Sequence, residues 1–173
     1  MSEAQPAAPV PFVSPVAEPL LDGKALRRSL KLIQAVSVVE RGCRSKSKEG
    51  SRPRKAVRLL RRGVHEVTKS LKKGETGIVF FASDVYPIEI LAHIPILCEE
   101  KGVPYAYICP KKALGHAFRS KRPASVIMLA PPPSTSKKGL VNEEGESRDE
   151  EIEDLQGAFE KVERTIRKNH PYL

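Results

Sequence analysis

The sequence predicts an α/β fold with helices on both faces of a sheet. Three observations carry this. Ile78 to Ala82 (IVFFA) is an unbroken apolar run, the pattern of a strand covered on both faces. Runs of this kind alternate with segments whose apolar residues recur at helical spacing. The connections between them are short, as they are where successive elements pack side by side.

In chain order, residues 1–19 are rich in proline and alanine and read as a disordered or extended arm. Lys24 to Glu40 carries Leu26, Leu30, Ile33 and Val36 at helical spacing, an amphipathic helix. Arg41 to Pro53 is rich in glycine, serine and charge and reads as a flexible basic insertion. Gly63 opens a second helix, with Val64, Val67 and Leu71 on one face. Lys72, Lys73 and Gly74 end it, because cations suit a helix C-terminus and glycine accepts the left-handed cap. After the strand at 78–82, Ser83 or Asp84 caps a third helix, and Pro87 suits its first turn. That helix runs over Ile88, Leu91, Ile94 and Cys98, with Pro95 bending it or starting a new turn, and Gly102 stops it. Tyr105 to Cys109 is a second strand, Lys111 to Phe118 a short helix, and Ser125 to Ala130 a third buried strand. The domain therefore spans 20–131. A polar linker, 132–150, leads to an acidic helix and tail, 151–173, with Leu155, Phe159, Val162 and Ile166 on one face.

Charge narrows the partner. Thirty lysines and arginines oppose 21 acids in 173 residues, a net +9. Arg41 to Lys73 alone holds thirteen cations against Glu49 and Glu66, whereas 142–163 holds ten acids against Arg148 and Lys161. Such polarity makes a polyanion, above all nucleic acid, the expected partner. The three cysteines (Cys43, Cys98, Cys109) are widely spaced and no histidine pair completes a zinc pattern, so free thiols and no metal are expected. Residues 1–19 lack the basic start and unbroken apolar run of a secretory signal, and the longest apolar runs are too short to span a bilayer.

Enzyme chemistry finds little support. ASDVYPIE follows the first apolar strand where a nucleotide enzyme would carry a glycine-rich phosphate loop, so no nucleotide cofactor or small-molecule substrate is expected. Asp84 and Glu89 lie near the carboxyl end of that strand, where α/β enzymes place catalytic groups, and His93 follows. A small enzyme built on these three is one reading. Helix capping, first-turn charge and a rim histidine is the other. Cys98, in apolar surroundings, reads as a buried small hydrophobe.

RRGVHEVTK (61–69) is the better local signal. Arg61 and Arg62 precede a helix start whose free N–H groups and positive dipole end attract phosphate. His65, Glu66 and Lys69 share a polar face: lysine neutralises phosphate, and a carboxylate accepts hydrogen bonds from base amino or imino groups. An ordinary Glu–Lys pair on a solvated surface fits the same residues. Arg119-Ser120-Lys121-Arg122-Pro123 is a second basic element. Placed on the same sheet edge, the two make one basic cleft suited to bent or open RNA.

The runs RRGVHEVTKSLKKGETGIVFFASDVYPIEILAHIPILCEEKGVPYAYICPKKALG and SKRPASVIMLAP resemble the kink-turn-binding ribosomal protein family. Within it they most resemble the small RNA-binding core subunits of eukaryotic box H/ACA nucleolar particles. The resemblance covers roughly Leu59 to Pro131. It implies a three-layer α-β-α sandwich with a small mixed central sheet, RNA binding without catalysis, no cofactor, and a place in the nucleus and nucleolus. The partners it implies are an H/ACA guide RNA, a pseudouridine-synthase subunit and the other H/ACA core proteins. Family members usually begin the RNA-facing helix RGxNExxK. Gly63, Glu66 and Lys69 match the glycine, the base-contacting glutamate and the phosphate-contacting lysine. His65 replaces the asparagine that strict kink-turn binders use, as H/ACA subunits also replace it, which implies weak kink-turn selectivity. The loop that closes over an extruded nucleotide maps to Arg119 through Pro123, and Arg119 stands where a glycine is often found. The implied RNA-binding set is Arg62, Gly63, His65, Glu66, Lys69, Arg119, Lys121 and Arg122. A ribosomal or box C/D kink-turn subunit is the alternative within the family, and a purely protein-binding scaffold the alternative outside it.

Overall fold

A computed structural model describes residues 12–44, 58–108, 110–132 and 149–171. Its elements are α1 (Gly23–Arg44), β1 (Leu60–Arg62), α2 (Val64–Lys72), β2 (Ile78–Ala82), α3 (Glu89–Glu100), β3 (Tyr105–Ile108), α4 (Lys111–Ala117), β4 (Val126–Leu129) and α5 (Asp149–Asn169). The four strands form one sheet in the order β1-β4-β2-β3. β2 and β3 run parallel, and β4 runs antiparallel to both β1 and β2, so the sheet is mixed.

Register fixes which side chains share a face. Val79 lies opposite Tyr105 and Met128, and Arg61 opposite Met128, so these residues point one way. The Arg61 guanidinium reaches Ser70 of α2, and the Tyr105 hydroxyl donates to Glu99 of α3, so α2 and α3 cover this face. Phe80, Ala106, Ile127 and Arg62 point the other way, where Arg62 meets Phe118 at the end of α4. α1 packs against β1, α4 and α5. The result is a helix–sheet–helix sandwich whose strands β2, β3 and β4 are buried throughout. Burial on both faces is what the unbroken IVFFA run demands, since alternation would leave one face wet.

Several elements differ from the sequence expectation. Strand β1 has no counterpart in it, because LRR lacks any apolar pattern. Both arginines tolerate the strand because each has a partner: Arg61 pairs with Glu75 at 2.9 Å, and Arg62 lies over the Phe118 ring at 4.9 Å. Helix α1 continues to Arg44, so the start of the expected 41–53 insertion is helical; 45–53 lies outside the described residues. The described part of the arm, from residue 12, pairs with the sheet near its end. The Tyr107 N–H donates to the Pro19 carbonyl and the Leu21 N–H to the Tyr107 carbonyl, which adds a short parallel bridge to the open edge of β3. Such pairing covers an edge that would otherwise offer free backbone groups to another chain.

The last helix is no separate tail. Leu155, Phe159, Val162 and Ile166 are all buried with the main core, and α5 packs on α1. Its end reaches β3, where His170 meets the Tyr105 ring edge-on at 4.4 Å. Cys98 is fully buried, and burial pushes its thiol up to about 12, far from the reactive range. Cys43 and Cys109 carry no described side chain. Among the described residues, no helix is long and apolar enough to cross a membrane.

Candidate nucleic-acid interface

One end of the sheet gathers the residues that the sequence marks. The Gly63 N–H donates to the Val126 carbonyl at 3.0 Å, the Ala82 N–H to the Ser125 carbonyl at 2.9 Å, and the Ser83 N–H to the Ile108 carbonyl at 3.2 Å. These bonds line up the end of β1, the start of β4 and the carboxyl ends of β2 and β3. The turn Arg119–Pro123 leads directly into β4. The start of α2 and the basic turn therefore share one edge, as the cleft requires.

Gly63 makes the start of α2 possible. It adopts φ 85 and ψ 161, a backbone region open essentially to glycine alone. Having no side chain, it leaves the first N–H groups of α2 without a side-chain cap. Those groups and the helix dipole give a positive terminus facing outward. His65 and Glu66 are exposed in this first turn and Lys69 is exposed in the last turn of α2, while Val67 and Leu71 are buried. Glu66 accepts the Arg62 N–H at 3.2 Å and lies 3.9 Å from the Arg58 guanidinium. Its carboxylate is thus held against the helix start with one face still exposed, rather than swinging free. Arg62 is half-buried, and its guanidinium is committed to the Phe118 ring.

Across the edge, α4 ends in a tight turn. The Arg119 N–H donates to the His116 carbonyl and the Ser120 N–H to the Gly115 carbonyl. Arg119 takes φ 56, the left-handed region that glycine favours. Its position in the resemblance, where glycine is common, thus has a backbone reason. The Ser120 hydroxyl accepts the Arg122 N–H at 3.1 Å, closing the turn. Gly115 lets the turn fold back on α4, because a Cβ there would overlap the Arg122 carbonyl oxygen. Lys121 and Arg122 are exposed at the tip.

Of the marked residues, Arg62, Gly63, His65 and Glu66 lie at the start of α2, Lys69 in its last turn, and Arg119, Lys121 and Arg122 in the turn after α4. One further residue contacts the turn. Arg41, near the end of α1, donates to the carbonyls of Phe118 and Arg119, each at 2.9 Å. Nothing in the sequence around Arg41 signals this, since its partner lies 77 residues away. Tyr86, in the β2–α3 connection, is 82% exposed, an unusual state for a large ring. A lone tyrosine before a proline was its only sequence signal.

The enzyme reading of Asp84, Glu89 and His93 meets a different geometry. Asp84 accepts the Lys111 N–H at 2.6 Å and so caps α4, rather than the third helix the sequence suggested. His93 is exposed on α3 and lies 3.2 Å from the Thr68 hydroxyl of α2, and Glu89 is an exposed first-turn acid. Among the described residues, no group of three or more His, Cys, Asp or Glu could hold a metal ion.

Comparison with known proteins agrees with this architecture. Residues 45–138 match the model of the ribosomal protein L7Ae/L30e/S12e/Gadd45 family. An H/ACA ribonucleoprotein complex subunit 2-like protein of Xenopus laevis is 38% identical over 122 residues, covering 69% of this chain and 68% of its own. An Arabidopsis thaliana protein of the same description is 31% identical over 156 residues, covering 90% of this chain and 83% of its own. A Danio rerio relative is 53% identical, but the match spans only 50% of its length. Among solved structures, the Giardia lamblia 15.5 kD RNA binding protein superposes with a TM-score of 0.55 at 25% identity, covering 87% of this chain and 99% of that one. The chain therefore belongs to the ribosomal protein L7Ae/L30e/S12e/Gadd45 family and is closely related to its H/ACA ribonucleoprotein subunit 2 members.

Proposed function

We propose that this protein is a non-catalytic RNA-binding core subunit of an H/ACA ribonucleoprotein, seating the upper part of a guide-RNA hairpin on the partner pseudouridine synthase. The observation that carries the reading is the shared edge: an uncapped helix start at Gly63 and a cation-bearing turn at Lys121 lie side by side. Together they offer backbone N–H groups and mobile cations to phosphate, and a held carboxylate to base edges. The relatives' descriptions as H/ACA subunits supply the particle. Lys69, Lys121 and Arg122 meet phosphates. Glu66, with His65 beside it, meets bases, and the exposed Tyr86 ring offers a stacking surface. Arg62 acts mainly through Phe118, supporting the turn. Isomerisation of uridine belongs to the synthase, and the protein works in the nucleus and nucleolus with the other core proteins.

The test is hairpin affinity across a salt series for Lys69→Ala and for the Lys121→Ala/Arg122→Ala pair. Each lost phosphate contact is expected to flatten the dependence of log affinity on log salt by about 0.7–0.9. The pair should therefore lower the slope by roughly 1.5 and weaken binding about tenfold or more at moderate salt. Unchanged affinity and slope for both variants would overturn the reading. The unaltered protein should also discriminate only weakly between a kink-turn and a mutated duplex, because the donor and acceptor of a neutral imidazole at position 65 sit on separate ring nitrogens that point apart, not side by side as in an amide. Strong discrimination would favour a kink-turn-binding ribosomal or box C/D subunit instead.

A further inference from the structure

We infer that Arg41 is a positioning residue for RNA binding, holding the basic turn in its working shape from a distant helix. The inference rests on the proposed RNA face and deepens it. Three features of the turn carry it.

First, Arg119 is the one described non-glycine residue with positive φ. A side chain in that region crowds the backbone, so the conformation persists only where surrounding contacts enforce it. Second, the contact that enforces it is visible. The Arg41 guanidinium donates to the carbonyl oxygens of both Phe118 and Arg119, at 2.9 Å each, on either side of the strained peptide. These carbonyls close α4, where backbone acceptors lack partners in the next turn and carry negative partial charge. Both bonds come from one terminal nitrogen, Nη2, whose two N–H groups diverge onto the neighbouring acceptors. Third, the same short segment has a second contact from another element, with the Arg62 guanidinium 4.9 Å from the centre of the Phe118 ring. Phe118 and Arg119 are therefore held by contacts from both α1 and β1, and the exposed Lys121 and Arg122 follow directly in the chain.

The arrangement explains how a residue other than glycine is tolerated at the pivot of the turn. Arg41 supplies from outside the restraint that a glycine would make unnecessary. Its charge is spent on protein carbonyls rather than on RNA, so its influence on binding passes through Lys121 and Arg122.

This is testable by coupling. Arg41→Ala is expected to weaken hairpin binding roughly five- to tenfold, the range for a partly exposed charged hydrogen bond. In a protein already carrying Lys121→Ala/Arg122→Ala, Arg41→Ala should add less than about twofold, since contacts acting through one another are not additive. In a protein carrying Arg119→Gly, it should likewise cost less than about twofold, because the strain it restrains is gone. Far-UV circular dichroism and thermal melts of each variant establish that the compared proteins are folded. A loss that is equal in all three backgrounds would make Arg41 a direct phosphate ligand and overturn the inference. A fall in melting temperature with unchanged affinity would reduce it to a stabilising cap and overturn it equally. If instead the Lys121→Ala/Arg122→Ala pair leaves affinity intact, the RNA face itself fails, a result distinct from either.

Discussion

Gly115→Ala is expected to cost about 2–3 kcal/mol of stability and to weaken hairpin binding more than the stability loss alone explains. Local propensity argues the opposite, since alanine in a helix interior gains about 1 kcal/mol over glycine. Packing decides the sign. A Cβ at Gly115 would overlap the Arg122 carbonyl oxygen and come within 3.2 Å of the Pro123 α-carbon. Both neighbours are backbone, so no rotamer change relieves the contact, and the turn itself must move. That displacement carries Lys121 and Arg122 away from the edge shared with Gly63. Gly157→Ala is the internal control: Gly157 lies within α5 with open space around its α-carbon, and its replacement should stabilise by roughly 0.5–1 kcal/mol. Urea denaturation of both variants, with hairpin titration of the first, decides the matter. A stabilised Gly115→Ala protein with full affinity would show that the turn is not seated on α4.

Gly63→Ala should cost about 1–3 kcal/mol through backbone strain alone. Open space surrounds the missing Cβ, so no steric clash with a neighbour contributes. The penalty comes from φ 85 with ψ 161, which an L-residue reaches only under strain. Relief would require the chain to re-aim the first turn of α2 and to loosen the Gly63–Val126 hydrogen bond that ties it to the sheet. Hairpin affinity should fall with it, because the N–H groups of that turn would no longer face outward. A D-alanine at the same position, introduced by semisynthesis, should retain both stability and affinity, since its preferred φ is positive. Equal losses for the L- and D-residues would show that the site rejects any side chain, not one hand.

Much of the fold was legible because its signals are local. The IVFFA run, the spacing of Val67 and Leu71, and the Gly102–Pro104 break each reflect a single stretch of chain meeting one environment. The last helix was equally plain, since Leu155, Phe159, Val162 and Ile166 recur at helical spacing and are all buried. Strand β1 was not. Its three residues gain their strand state from pairing with β4 some 65 positions later, and Arg61 and Arg62 are satisfied by Glu75 and Phe118 rather than by any pattern in LRR. Asp84 was assigned to the wrong helix for the same reason. A carboxylate near two helix starts caps the one whose N–H comes within reach, and sequence order does not measure reach.

What the sequence by itself determined was the polarity of charge along the chain, the order of most helices and strands, and the two short segments that carry cations. Charge and periodicity are properties of neighbours along the chain, so they survive without coordinates. Only the tertiary structure decided that those segments meet at one end of the sheet. It also made Arg41 a brace for a turn 77 residues away, and committed Arg62 to an aromatic ring instead of solvent. Those facts depend on how a mixed sheet returns β4 beside β1, an arrangement set by long-range hydrogen bonding and burial rather than by any local preference.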